Sequence, residues 1–181
     1  TINNINISIL NNMDSNNDYL NNNNKSEEVI STSHNINNLE DFYAKWSKTY
    51  ANDVLNCNYV GPRSIVELLI KKFNIYGSKI IDIGCGTGLL SNYLDRFKYQ
   101  IEVDGLDFSN EMLEISKTKD YYTSLIQKDV YEITGDNNQE YDFAVSIGMF
   151  THNHVKPKAI RNIFHYLTHE GVFIFTVRES F

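Results

Sequence analysis

The chain has 181 residues, 16 Lys and Arg against 23 Asp and Glu, a net charge of −7, and 41% hydrophobic residues. That is enough chain for one core and one domain, and the acidic balance argues against the clustered basic surface that a grip on nucleic acid needs. No apolar run approaches the ~20 residues of a bilayer span, and no basic segment precedes an apolar core at the N-terminus. Only two cysteines occur, Cys57 and Cys85, far apart in sequence, so no disulfide framework is expected. These features point to the cytoplasm, with the nucleus as the other option.

From Thr1 to Asn38 the sequence is dominated by asparagine and serine, including Asn21-Asn22-Asn23-Asn24, and its isolated isoleucines build no apolar face. Such a segment cannot offset its chain entropy by burial, so residues 1–38 are expected to be a disordered tail and residues 39–181 the folded domain. Leu39, Phe42, Tyr43, Trp46 and Tyr50 then recur at helical spacing behind Asn38 as a possible N-cap. A second helix is expected from Pro62, carrying Ile65, Val66, Leu68, Leu69 and Phe73 inward.

Ile80-Ile81-Asp82-Ile83 reads as a strand buried on both faces, running directly into Gly84-Cys85-Gly86-Thr87-Gly88. A β-branched strand ending in alternate glycines is the strand-to-helix turn of a doubly wound α/β fold, where nucleotides bind. Leu89, Leu90, Tyr93, Leu94 and Phe97 predict a helix over the sheet, followed by a strand over 101–107. A helix over 110–117 capped by Ser109, a strand over 124–128, a strand over 141–147, a helix over 156–167 and a strand over 172–177 complete the pattern.

The glycine spacing is G-x-G-x-G. A dinucleotide fingerprint would place its third glycine where this chain has Leu89, which disfavours a nicotinamide cofactor. Asp107 lies 19 residues after Gly88, at the carboxyl end of the second of these strands, where it can accept hydrogen bonds from ribose hydroxyls. Phe108 would then cover one face of a base. Asp82, a carboxylate at the end of a buried strand, needs donors. The loop Gly148-Met149-Phe150-Thr151-His152-Asn153-His154 follows the fourth of these strands; His152 is the candidate general base and His154 the second, since imidazole titrates near neutrality. No C-x-x-C pair or close His/Cys cluster marks a metal site.

With these residues in hand, the chain resembles class I S-adenosylmethionine-dependent methyltransferases, and more narrowly the methyltransferase-like proteins named for the Williams–Beuren syndrome chromosome region. The resemblance rests on Phe42-Tyr43-Ala44-Lys45-Trp46 with Tyr50, Tyr59-Val60-Gly61-Pro62-Arg63, Asp82 to Gly88, and Asp104 to Leu113. It continues through Gly148-Met149-Phe150-Thr151-His152 and the ending Phe175-Thr176-Val177-Arg178-Glu179-Ser180-Phe181. It implies a Rossmann-like sheet and S-adenosylmethionine as cofactor, contacted by Asp82, Gly84, Gly86, Asp107, Phe108, Asp129 and Val130, with Trp46 and Tyr50 helping to close the pocket. The implied activity is methyl transfer to a small-molecule or protein acceptor; the alternative is a binding module without catalysis. The chain departs from the family in having Leu167-Thr168-His169-Glu170-Gly171 where Leu-Lys-Pro-Gly-Gly is usual, and in ending before the sixth and seventh strands, so a C-terminally incomplete domain is expected.

Overall fold

The computed structural model describes residues 9–10, 36–56, 59–135, 139–150 and 155–177. Six strands form one sheet: β1 (Ile9–Leu10), β2 (Lys79–Ile83), β3 (Glu102–Asp107), β4 (Ser124–Gln127), β5 (Tyr141–Phe150) and β6 (Leu167–Val177). Their order is β1-β6-β5-β2-β3-β4, and every neighbouring pair is parallel. The order reverses direction at β2, so the crevice above its carboxyl end is the switch point of a doubly wound sheet.

Among the described residues five helices accompany the sheet: α1 (Ile36–Asn56), α2 (Gly61–Lys72), α3 (Arg96–Tyr99), α4 (Asn110–Lys117) and α5 (Ala159–Ile163). Two cores follow from the alternation of side chains along the strands. On one face Ile80, Val103, Phe143, Val145 and Ile174 pack against Ile65, Val66 and Leu69 of α2. On the other, Ile81, Ile83, Leu106, Ala144 and Phe173 pack against Ala159 and Ile163 of α5. The strands are therefore apolar on both sides, as a parallel sheet covered on both faces requires.

Several elements differ from the sequence-based expectation. Asn38 lies inside α1, which begins at Ile36. The expected helix over 89–97 is a single 3₁₀ turn, Leu89–Asn92, followed by the short α3. Two polar side chains break it: Ser91 Oγ turns back onto Gly88 O at 2.7 Å, and Asp95 caps α3 by accepting from the amides of Phe97 and Lys98. Phe97, expected inward, is 76% exposed.

The helix expected over 156–167 is confined to Ala159–Ile163, and Leu167 instead opens an eleven-residue β6. Leu167 pairs with Tyr141, and a register shift before Phe143 accommodates the polar Thr168–Gly171 stretch. Ile9 and Leu10, within the segment read as a tail, pair with Phe175 and Thr176. Residues 1–8 and 11–35 of that segment, Cys57 and residues 178–181 lie outside the described residues, while residues 36–38 belong to α1.

One polar contact crosses the apolar core on the α5 side. Tyr141 on β5 reaches over β2 to donate to Asp104 Oδ2 on β3 at 2.7 Å, and no donor reaches Asp104 Oδ1. Asp104 is 5% exposed, so its carboxylate depends on this hydroxyl. The variant Y141F is expected to lose about 1–3 kcal/mol in chemical denaturation, the cost of a buried acceptor left without a donor; a loss within error of zero would contradict this account.

Candidate functional site

The site begins with the backbone leaving β2. Gly84, Gly86 and Gly88 adopt φ of +72, +53 and +77°, a left-handed conformation that side-chain-bearing residues rarely hold. The amides of Gly84 and Cys85 both donate to Leu106 O, at 2.7 and 3.0 Å, tying the loop to the end of β3. Asp107 completes the tie: its Oδ2 accepts from Gly86 N at 2.8 Å and its Oδ1 from Ser109 N at 2.9 Å. One carboxylate thus holds both the glycine loop and the start of α4. Ser109 caps that helix by accepting from Met112 N, with Glu111 in its first turn, as the sequence predicts.

A cavity opens over this loop at the carboxyl ends of the strands. Gly84, Gly86, Leu106, Asp107 and Phe108 form its floor and near wall, Asp129, Val130 and Tyr131 the side beyond β4, and Ile147, Gly148 and Met149 the side beyond β5. A methyl group placed on Gly86 would have only Tyr50 Cε1 near it, at 3.9 Å, so the missing side chain leaves a cradle facing the cavity. Asp129 accepts from Tyr131 N at 2.8 Å, which starts the 3₁₀ turn Val130–Glu132. Asn162 of α5 steadies that turn from outside by donating to Val130 O and Tyr131 O at 3.1 and 3.3 Å.

The helix α1 closes the cavity with aromatic rings. Tyr43 and Tyr50 line it, and the Tyr43 ring meets Phe108 edge-on at 6.0 Å. Trp46 stands behind them, 4.8 Å from Tyr50 and 6.0 Å from Tyr43 between ring centroids, and its indole N–H donates to Asp53 Oδ2 at 2.8 Å. Trp46 is thus a support for the lining residues.

The electrostatics are those of enclosed acids. Burial pushes the Asp82 carboxyl up to about 7, opposed by a hydrogen bond from Tyr122 Oη at 2.7 Å and reinforced by the charge of Asp107. Burial also raises Asp107, while the amides of Ser109, Gly86 and Phe108 pull it back. Enclosure raises the Tyr43 and Tyr50 phenols, so both remain neutral donors near physiological pH. The Cys85 thiol is raised by burial as well, and so is not a nucleophile at neutral pH.

Of the residues singled out in the sequence, Tyr50, Gly84, Gly86, Asp107, Phe108, Asp129 and Val130 line one cavity. Trp46 lies one layer behind it. Asp82, 2% exposed, sits beneath the glycine loop rather than in the wall. His152 and His154 lie outside the described residues. Ile147, Gly148 and Met149 line the cavity too, at the end of the strand before the two histidines, and the structure adds Tyr43 and Tyr131 as lining residues and Tyr122 as the donor to Asp82. Tyr43 shares the aromatic stripe of Trp46 and Tyr50, so a signal for it was present; for Tyr122 there was none. Among the described residues, no cluster of three or more His, Cys, Asp or Glu could hold a metal ion, and no helix is long and apolar enough to cross a membrane.

Comparison with known proteins agrees with this arrangement. Residues 80–171 match the model of a family described as a methyltransferase domain. An uncharacterized protein of Methanocaldococcus jannaschii is 32% identical over 147 residues, 79% of this chain and 53% of its own length. The malonyl-[acyl-carrier protein] O-methyltransferase of Bacillus anthracis is 26% identical over 127 residues, 65% of this chain and 45% of its own. A crystal structure from Methanococcus maripaludis, of a protein described as an S-adenosyl-L-methionine-dependent methyltransferase, superimposes with a TM-score of 0.60 at 26% identity. That superposition covers 74% of this chain and 63% of the other. The chain spans about half the length of the curated relatives it matches. With the glycine loop, Asp107 and strands β3 to β5 all inside residues 80–171, the chain belongs to the methyltransferase domain family and has the Rossmann-like fold of class I methyltransferases.

Proposed function

We propose that this chain binds S-adenosylmethionine over the glycine loop and transfers its methyl group to a small-molecule or protein acceptor. The observation that carries the reading is a single cavity in which the left-handed Gly84 and Gly86, the Asp107 carboxylate and the Phe108, Asp129 and Val130 wall meet. The residues present suit that cofactor: the cradle at Gly86 admits a ligand close to the backbone, and Asp82, Asp107 and Asp129 outnumber Lys128 around it, which favours a cation. The O-methyltransferase name of the Bacillus anthracis relative supports an oxygen acceptor. The narrower resemblance to the Williams–Beuren region proteins rests most on the Gly148–His152 motif and the ending Phe175–Phe181.

When bound, S-adenosylmethionine supplies a methyl group already activated on a sulfonium, which leaves alignment and exclusion of water to the protein. Asp107 is held still by two amides and keeps lone pairs for the ribose hydroxyls. Asp129 gives one oxygen to Tyr131 N, leaving the other for the adenine amino group. Phe108 covers the base, with Tyr43 behind it. Tyr50 shields the glycine cradle from solvent. For an acceptor that must lose a proton, His152 is the candidate base.

Isothermal titration of the full chain with S-adenosylmethionine and S-adenosylhomocysteine is expected to show binding of both. The variant D107A is expected to weaken it about ten- to a hundredfold, the loss of charge-assisted hydrogen bonds. A folded wild-type chain that binds neither ligand overturns the reading; transfer of a labelled methyl group to candidate acceptors then separates an enzyme from a binder.

Asp82 supplies a second test. Its folded pKa of about 7 lies above the ordinary 3.8, so its contribution to stability is fully present at low pH and is lost as pH rises through the interval between those values. At pH 8 the ionised carboxylate sits in the fold at a cost. In ligand-free protein D82N is therefore expected to be more stable than wild type by roughly 2–4 kcal/mol at pH 8, with a smaller difference at pH 5, in denaturant titrations at both values. The same variant should bind the cofactor less well.

A further inference from the structure

The glycine loop has a back as well as a front, and three side chains from one stretch converge there. Ser116, Lys119 and Tyr122 follow one another at three-residue intervals through the end of α4 and the turn before β4. A methyl group on Gly88 would lie 2.8 Å from Ser116 Oγ, 3.1 Å from Tyr122 Cε2 and 3.4 Å from Lys119 Cδ. Lys119 Nζ donates to Gly88 O at 3.0 Å, and Tyr122 Oη donates to Asp82 Oδ2 at 2.7 Å.

Tyr122 reaches Asp82 through an opening in the sheet. Asp82 on β2 pairs with Gly105 on β3, and Gly105 pairs with Leu125 on β4. A methyl group at Gly105 would lie 2.8 Å from Leu125 Cδ2, 2.9 Å from Cys85 Sγ and 3.1 Å from Tyr122 Cδ1. The Tyr122 ring thus shares the space left by the absent side chain at Gly105 with Leu125 and Cys85 on its way from the edge of the sheet to the central strand. Such a reach of two strands, toward a buried carboxylate, serves no packing need that a phenylalanine would not meet; what the hydroxyl adds is a donor to Asp82.

We propose that Tyr122 is a positioning residue for the cofactor: by donating to Asp82 beneath the glycine loop, it holds that carboxylate's charge under the ammonium end of the ligand, while Lys119 anchors the far end of the same loop at Gly88. The proposal rests on the reading of the cavity as an S-adenosylmethionine site. The groups that face Asp82 are Asp107 at the end of β3, Cys85 in the loop, Tyr50 on α1, and Tyr121 and Tyr122 before β4. Asp107 raises the Asp82 carboxyl and Tyr122 is the group that lowers it, against a larger effect of burial. Without the hydroxyl the carboxylate takes up its proton at a higher pH, and an uncharged Asp82 is a poorer partner for an ammonium.

The test uses the full chain with S-adenosylhomocysteine as probe, titrated between pH 6 and 9. Wild type is expected to bind more tightly as pH rises through about 7. In Y122F the midpoint of that rise is expected to move up by about one pH unit, and affinity at pH 7 to fall about tenfold, the effect of removing one hydrogen bond to an ionised group. K119M is expected to weaken binding at every pH without moving the midpoint. Tyr121, whose buried hydroxyl has no hydrogen-bond partner, is the control: Y121F should follow wild type. Carboxyl-carbon NMR of ligand-free protein gives a second readout, in which the Asp82 titration midpoint is higher in Y122F than in wild type. Superimposable binding profiles or equal NMR midpoints for wild type and Y122F overturn the proposal and leave the cofactor reading standing. A folded wild type that binds at no pH overturns both.

Discussion

The Asp107 carboxylate is the joint on which the site depends. It accepts from Gly86 N and Ser109 N, so the loop leaving β2 and the helix leaving β3 are fixed to each other through one side chain. Both elements end at the same height because β2 and β3 are paired in register from Lys79–Glu102 to Ile83–Leu106. The sheet sets the position, the carboxylate sets the orientation, and the glycines let the backbone turn between them. Everything in the cavity wall is placed relative to that joint.

Two layers of support extend outward from it. On the open side, the aromatic rings of α1 lean on one another, with Trp46 tied to Asp53 and bearing on Tyr43 and Tyr50. On the closed side, Tyr122, Lys119 and Ser116 press against the loop from the end of α4. The buried acids Asp82 and Asp107 lie between these layers, where burial raises both carboxyls.

The parts of this arrangement that could be read from the sequence are those specified locally. The β2 strand, the left-handed glycines and the Ser109 cap of α4 each follow from a few adjacent residues. Asp107 could be placed because the length of a βαβ unit fixes its distance from the loop. What escaped reading depended on competition or on distance. The stretch 89–97 has the apolar spacing of a helix, yet Ser91 and Asp95 divert its backbone hydrogen bonds. Residues 168–171 are polar and fall between the helix and strand expected there, but the pairs Tyr141–Leu167 and Phe143–Val172 on either side enclose them within β6. Tyr122 and Asp82 are 40 residues apart, and the Tyr122 ring passes close over Gly105, which has no side chain.

The Asn162 amide, which bridges Val130 O and Tyr131 O, has a consequence for how such a site can change over generations. The turn against which a base would rest is hung from α5, and Lys156 N, at the approach to that helix, also donates to Tyr131 Oη at 2.7 Å. The segment entering α5 after β5 therefore shares its scaffolding with the 130–131 wall of the cavity. Substitutions that reshape one region will be felt in the other as epistasis, so a lineage can alter the segment after β5 freely only while residues 156–162 keep their hold on the 130–131 turn.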